Sequence, residues 1–292
     1  MGLQLQRILA AVDMSPASAA VVARAAMIAA KHGVALKLMD ASALCEGAPA
    51  APSFDLAAGA RQAADRFHLQ VEVLKERAAS VAHIAREAGQ QGLIVLPHEP
   101  RVRLRALWRG SVADQLLRIC ASPVLIIKSA AVAQERYQRV LVAVDLTPEA
   151  KGLVTIAGQL DDQSALQILH AIRPLHPNPL RNAEVPQRIM NAYLIRRKLE
   201  AHGQLLQVAS AALKGHQRVQ TVLREGEPAR HAAVQQSHAK ADLVVVGKRR
   251  CSALSDVLCC GVAKRLMAWC HGDILVVPLD GRLPAADVMA TA

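Results

Sequence analysis

A thirteen-residue stretch recurs in this chain: QRILAAVDMSPAS at 6–18 returns as QRVLVAVDLTPEA at 138–150. Two later stretches recur as well. GLIVLP at 92–97 matches DLVVVG at 242–247, and GSVADQLLRICASPVLIIK at 110–128 matches CGVAKRLMAWCHGDILVVP at 260–278. The first pair is offset by 132 residues and the later pairs by 150, so the second copy holds 18 more residues in its middle. A duplication of this kind constrains the fold more than any single motif, because whatever one copy forms the other must form too. The extra residues include RPLHPNPLRNAEVP, whose four prolines disfavour regular structure and predict a loop over the second copy.

Within each copy, short β-branched runs alternate with Ala-rich segments of helical length, the pattern of βαβ units on a parallel sheet. Strands are expected near 6–12, 34–40, 69–74, 92–96 and 123–128, and again near 138–144, 164–170, 218–223, 242–246 and 273–277. The first helix is signalled by Ser15 and Pro16 at its start and Gly33 at its end, and TPEAKG repeats the start in the second copy. The chain has 292 residues, enough for two domains of ordinary size, and 52% of them are hydrophobic with only 2% aromatic. The cores must therefore be built from Ala, Val, Leu and Ile, which suits helices packed closely on buried parallel strands. The domains are set at 1–130 and 137–281, joined by the short polar segment SAAVAQERYQ.

The formal charge of +11 is shared between the copies and has no basic tail. It permits attraction to anions and equally describes a solvated surface. Nucleic acid is disfavoured as a partner, because aromatic residues for base stacking are nearly absent. No apolar run approaches the roughly 20 residues of a membrane span, and the opening MGLQLQRILAAVDMS carries no secretory pattern, so a cytoplasmic protein without membrane partners is expected. Six cysteines, Cys45, Cys120, Cys251, Cys259, Cys260 and Cys270, are then expected as reduced thiols. The last four lie near His271 but form no paired CxxC units, so buried thiols are favoured over a zinc site.

These residues resemble the universal stress protein family over essentially the whole chain, in particular its tandem two-domain members. The resemblance implies an α/β fold of two doubly wound, five-stranded parallel-sheet domains in tandem, of the adenine nucleotide alpha hydrolase-like kind. It also implies a first strand ending in Asp, met here by Asp13 and Asp145, and a late strand followed by GxxG, nine residues and GS. The glycine signal is altered in both copies. Pro97 and Pro100 stand at the two early glycine positions of the first copy, where Gly110 and Ser111 survive and Val112 follows; the second copy keeps Gly247 and reads Cys260–Gly261 in place of GS. A phosphate cradle needs free backbone N–H groups and close approach without a Cβ, and proline offers no N–H. The adenine-facing position of the family falls on Ala41 and Ala171.

Asp13 and Asp145 stand at the strand edge where open α/β sheets bind ligands; capping the helices that begin near Ser15 and Thr147 is an equal reading. Arg101, Arg103, Arg105 and Arg109 in one loop, and Lys248, Arg249 and Arg250 in the other, either replace lost backbone donors around an anion or form solvated loops, the second being favoured. His98 and His170 fall near the same edge without a carboxylate partner at catalytic spacing, and no Ser/His/Asp set or P-loop is found.

The function expected is a non-enzymatic stress-response protein that acts by sensing a small-molecule or anionic ligand or by binding a partner, without a catalytic residue. The alternative is an ATP-binding protein with one partial site in the first copy, joined by a divalent metal near Asp13. The last strands, PVLIIK at 123–128 and DILVVP at 273–278, are the apolar candidates for pairing the copies into an intramolecular pseudo-dimer, with a homodimer left open.

Overall fold

The computed structural model describes residues 5–45, 53–98, 110–128, 135–172, 187–210, 218–248 and 261–279. Their contacts gather two compact units, one carrying the first copy and the other most of the second, and each is described by itself.

In the first unit the strands are β1 (Arg7–Val12), β2 (Ala35–Asp40), β3 (Val71–Val73), β4 (Gly92–Pro97) and β5 (Val124–Ile127), ordered β3-β2-β1-β4-β5 and parallel throughout. The order reverses at β1, whose neighbours are β2 and β4. β4 and β5 are buried at every position and β1 at all but its first, as strands covered on both faces must be. Four helices cover them: α1 (Ser18–His32) packs on α2 (Leu56–Phe67), and α3 (Val81–Ala88) on α4 (Val112–Ile119). Alanine makes the close approach possible, with Ala20, Ala25, Ala26 and Ala29 of α1 all buried. Gly33 ends α1 in the left-handed region at φ 62°, its N–H returning to the Ala29 and Ala30 carbonyls.

The second unit repeats the plan with β6 (Arg139–Val144), β7 (Ala165–Ile172), β8 (Val219–Glu225) and β9 (Leu243–Lys248) in the order β9-β6-β7-β8. The last strand of the chain, β10 (Asp273–Pro278), begins in this unit, where the Asp273 N–H donates to the Asp242 carbonyl at 2.9 Å. The helices are α5 (Ala150–Leu160), α6 (Gln187–Ser210), α7 (Pro228–Ala239) and α8 (Gly261–Trp269). All ten expected strands are present, and the architecture is the expected tandem α/β one.

Two details differ from the sequence reading. α1 begins at Ser18, three residues after the Ser15–Pro16 signal, because those residues form a turn in which the Ser15 carbonyl accepts from the Ser18 N–H. And α6 has 24 residues where α2 has 12, so helix takes up much of the extra length of the second copy. The proline-rich stretch expected as a loop lies outside the described residues.

Candidate functional site

The carboxyl ends of β1 and β2 are built from one device used repeatedly, an aspartate followed two residues later by Ser or Thr. Asp13 directly follows β1, and its Oδ1 accepts from the Ser15 N–H at 3.0 Å and the Ser18 hydroxyl at 2.9 Å. Between them Met14 takes φ 61°, a left-handed conformation that few residues other than glycine adopt. This turn presents the Met14 carbonyl to the Ser53 N–H and hydroxyl, both at 3.1 Å. In the second unit Asp145 Oδ1 accepts from the Thr147 hydroxyl at 2.8 Å and its N–H at 3.4 Å, and Leu146 repeats the left-handed turn at φ 57°. Each aspartate thus closes the turn that leads into a helix.

β2 ends in a third copy of the device, which the sequence reading missed. Asp40 Oδ1 accepts from the Ser42 N–H at 2.9 Å and its hydroxyl at 2.6 Å, while Oδ2 meets Arg77 Nε at 2.9 Å. The Asp-x-Ser spacing, shared with Asp13 and Asp145, was the signal that could have found it. Val12 pairs with Asp40, so Asp13 and Ala41 follow at adjacent positions on the same edge; Ala41 is buried and its N–H donates to the Val12 carbonyl at 2.8 Å.

Gly110, Ser111 and Val112 open α4. Gly110 holds φ 76°, a conformation that favours glycine, and a Cβ added there would lie 3.0 Å from Asp114 Cβ, so that side chain would have to shift. Ser111 is the N-cap in a reciprocal capping box: its hydroxyl accepts from the Asp114 N–H at 3.1 Å and its N–H donates to Asp114 Oδ2 at 3.2 Å. Two donors at this helix start are therefore already satisfied within the chain. Pro97 closes β4 in register with Ile127. His98 follows, its N–H donating to the Ile127 carbonyl at 2.9 Å.

The second unit differs at the matching places. His170 pairs with Val144 as Asp40 does with Val12, and its Nδ1 lies 2.8 Å from the Val144 carbonyl. Ala171 does not follow the strand end as Ala41 does; it lies inside β7, paired with Arg224, because β7 runs on to Ile172. Gly247 lies inside β9 rather than in a loop, and Lys248, expected as a loop cation, is the buried last residue of that strand. Gly261 is the first residue of α8. Pro100, Arg101, Arg103, Arg105, Arg109, Arg249, Arg250, Cys251, Cys259 and Cys260 lie outside the described residues. Cys45, Cys120 and Cys270 are thiols, the last two buried. Among the described residues no three of His, Cys, Asp and Glu converge as a metal group, and no helix is long and apolar enough to cross a membrane.

The universal stress protein family matches twice, over residues 4–128 and 136–278. Among solved structures, a universal stress protein from Archaeoglobus fulgidus DSM 4304 is 15% identical with a TM-score of 0.62, covering 94% of this chain and 97% of that one. A functionally unknown protein from Pseudomonas aeruginosa PAO1 is 19% identical with a TM-score of 0.66, covering 94% of each. These likenesses establish the fold. No curated protein matches the chain.

Proposed function

The chain belongs to the universal stress protein family in both halves, and from that premise we propose a cytoplasmic, non-enzymatic stress-response protein that senses a small or anionic ligand or binds a partner, its two copies spanning 1–130 and 137–281. The carrying observation is Pro97 closing β4 where a phosphate loop needs a free N–H and a bare Cα. The satisfied capping box at Ser111 and the placement of Gly247 within β9 support the same reading. Pairing of the last strands of the two copies into a pseudo-dimer belongs to this proposal.

The second reading, ATP bound in the first copy, is favoured by Gly110, which keeps a glycine conformation at the start of α4, and by Asp13 at the ligand edge of the sheet. For a divalent metal the protein offers little at this place: Asp13 Oδ1 already accepts two hydrogen bonds, and among the described residues no group of three His, Cys, Asp or Glu includes it.

The deciding measurement is the nucleotide content of protein purified and then denatured, read by anion-exchange chromatography and followed by titration with ATP and magnesium. No nucleotide and no binding support the first reading. Stoichiometric adenine nucleotide, lost in Asp13→Ala or Gly110→Ala, would establish the second.

A further inference from the structure

The two copies end their sheets differently at the position beyond the second strand. In the first unit the edge is β3, only three residues long; in the second it is β8, with seven. The Arg218 carbonyl accepts from the Leu166 N–H at 2.8 Å and the Gly226 N–H donates to the Ile172 carbonyl at 3.0 Å, so even-numbered residues face β7. Alternation turns the backbone groups of Val219, Thr221, Leu223 and Glu225 the other way, where no strand of the described residues pairs with them and the Leu223 carbonyl accepts from Arg224 Nη1 at 3.1 Å. Short edge strands protect a sheet from adding a further strand, and β8 lacks that protection.

α6 lies beside this edge and packs through Ala201, Leu205, Val208 and Ala209. Lys198 Nζ meets Glu225 at 3.0 Å and so marks the flank of α6 that faces β8. At about 100° per residue, Ile195, Leu199 and Leu206 lie roughly 60–100° around the helix from Lys198, past the buried Ala209 at about 20°. They are 60%, 67% and 49% exposed. The shorter α2 of the first copy carries no large exposed apolar side chain. Around the stripe and the edge stand Arg188, Arg196, Lys198, Arg218 and Arg224 against Glu200 and Glu225, with Arg196 paired to Glu200 at 2.8 Å and Lys198 to Glu225, so that Arg188, Arg218 and Arg224 carry the cationic excess. A second copy of the chain, with the same cationic excess and a net charge of +11, would be repelled here; an acidic segment is complementary.

We infer that the β8 edge and the Ile195–Leu199–Leu206 stripe form a docking surface for an extended acidic segment of a partner protein. The segment adds as a strand beside β8, with alternate apolar side chains against α6 and its carboxylates toward the arginines. The inference rests on the partner-binding arm of the function above, and its readout is independent of nucleotide content.

The test is fluorescence anisotropy with a short labelled peptide alternating valine and glutamate. Two control peptides accompany it, one with lysine in place of glutamate and one with alternate backbone nitrogens methylated. Binding that weakens with added salt, at least about tenfold tighter than either control, is expected. The double variant Ile195→Glu/Leu199→Glu alters only exposed side chains, and its fold is checked by thermal melting. It and Arg224→Glu should each weaken binding about tenfold or more. No binding of the acidic peptide, equal binding of the lysine peptide, or binding that survives both variants would overturn the inference. Sedimentation showing self-association that the double variant abolishes would also overturn it, because the surface would then belong to a second copy.

Discussion

The Tyr137 hydroxyl donates to the Asp273 carboxylate at 3.0 Å, and both residues are wholly buried although 136 positions apart. Nearby, Asp242 accepts from the Gln138 N–H at 2.7 Å and the Arg139 N–H at 3.0 Å, so buried and half-buried carboxylates fasten the start of β6 to the strands that arrive much later. Tyr137→Phe keeps the ring and removes the donor. A loss of about 1–3 kcal/mol in urea unfolding is expected, since a buried acceptor is left short of a partner. Stability within about 0.5 kcal/mol of wild type would show that this bond contributes little.

Met14 and Leu146 hold left-handed backbone without being glycine, and the two substitutions available there should separate cleanly. Met14→Val places a β-branched side chain at positive φ and is expected to cost about 1–3 kcal/mol. Met14→Gly relieves the strain and should cost much less. Equal effects of the two in thermal unfolding would refute the assignment of strain to this turn.

At α4, Ser111→Ala removes the hydroxyl that accepts from the Asp114 N–H and should lower stability by about 0.5–2 kcal/mol. Thr is the control: Ser111→Thr retains the acceptor and should stay close to wild type. If the alanine and threonine variants melt together, the capping box is not a source of stability.

His32 supplies the pH dependence. Burial, and then the charge of neighbouring Lys31, hold its pKa below the ordinary 6.5, and its Nε2 is buried without a hydrogen-bond partner among the described residues. As pH falls the unfolded chain takes up this proton before the folded one does. The contribution of His32 is therefore complete above 6.5 and is lost as pH falls through 6.5 toward the lowered folded value. Urea midpoints measured on either side of that window should fall with acidity in wild type and fall less in His32→Asn; identical slopes would exclude His32 as the source.

Strand positions were readable because buried parallel strands leave uninterrupted apolar runs, as in GLIVLP and LVVV, and because the repeat gave every assignment twice. The edge aspartates were readable for the same reason. What escaped depended on partners distant in sequence or on local backbone competition. Ser15 and Pro16 look like a helix start, yet Asp13 draws the Ser15 N–H into a turn and α1 waits until Ser18. Gly247 and Lys248 look like a loop beside charged residues, yet β9 runs on through both and Lys248 is buried. Asp40 carries the same Asp-x-Ser spacing as Asp13 but has an unlike residue, His170, at its place in the second copy, so comparison of the copies could not reveal it.

The unequal lengths of α2 and α6, and of β3 and β8, have a consequence for valency. Duplication gives a chain two of every surface it began with, and a ligand reading a shared feature would titrate at two equivalents. Lengthening one helix and one edge strand in a single copy breaks that equivalence, so a partner reading the longer pair finds one place per chain and saturates at one equivalent.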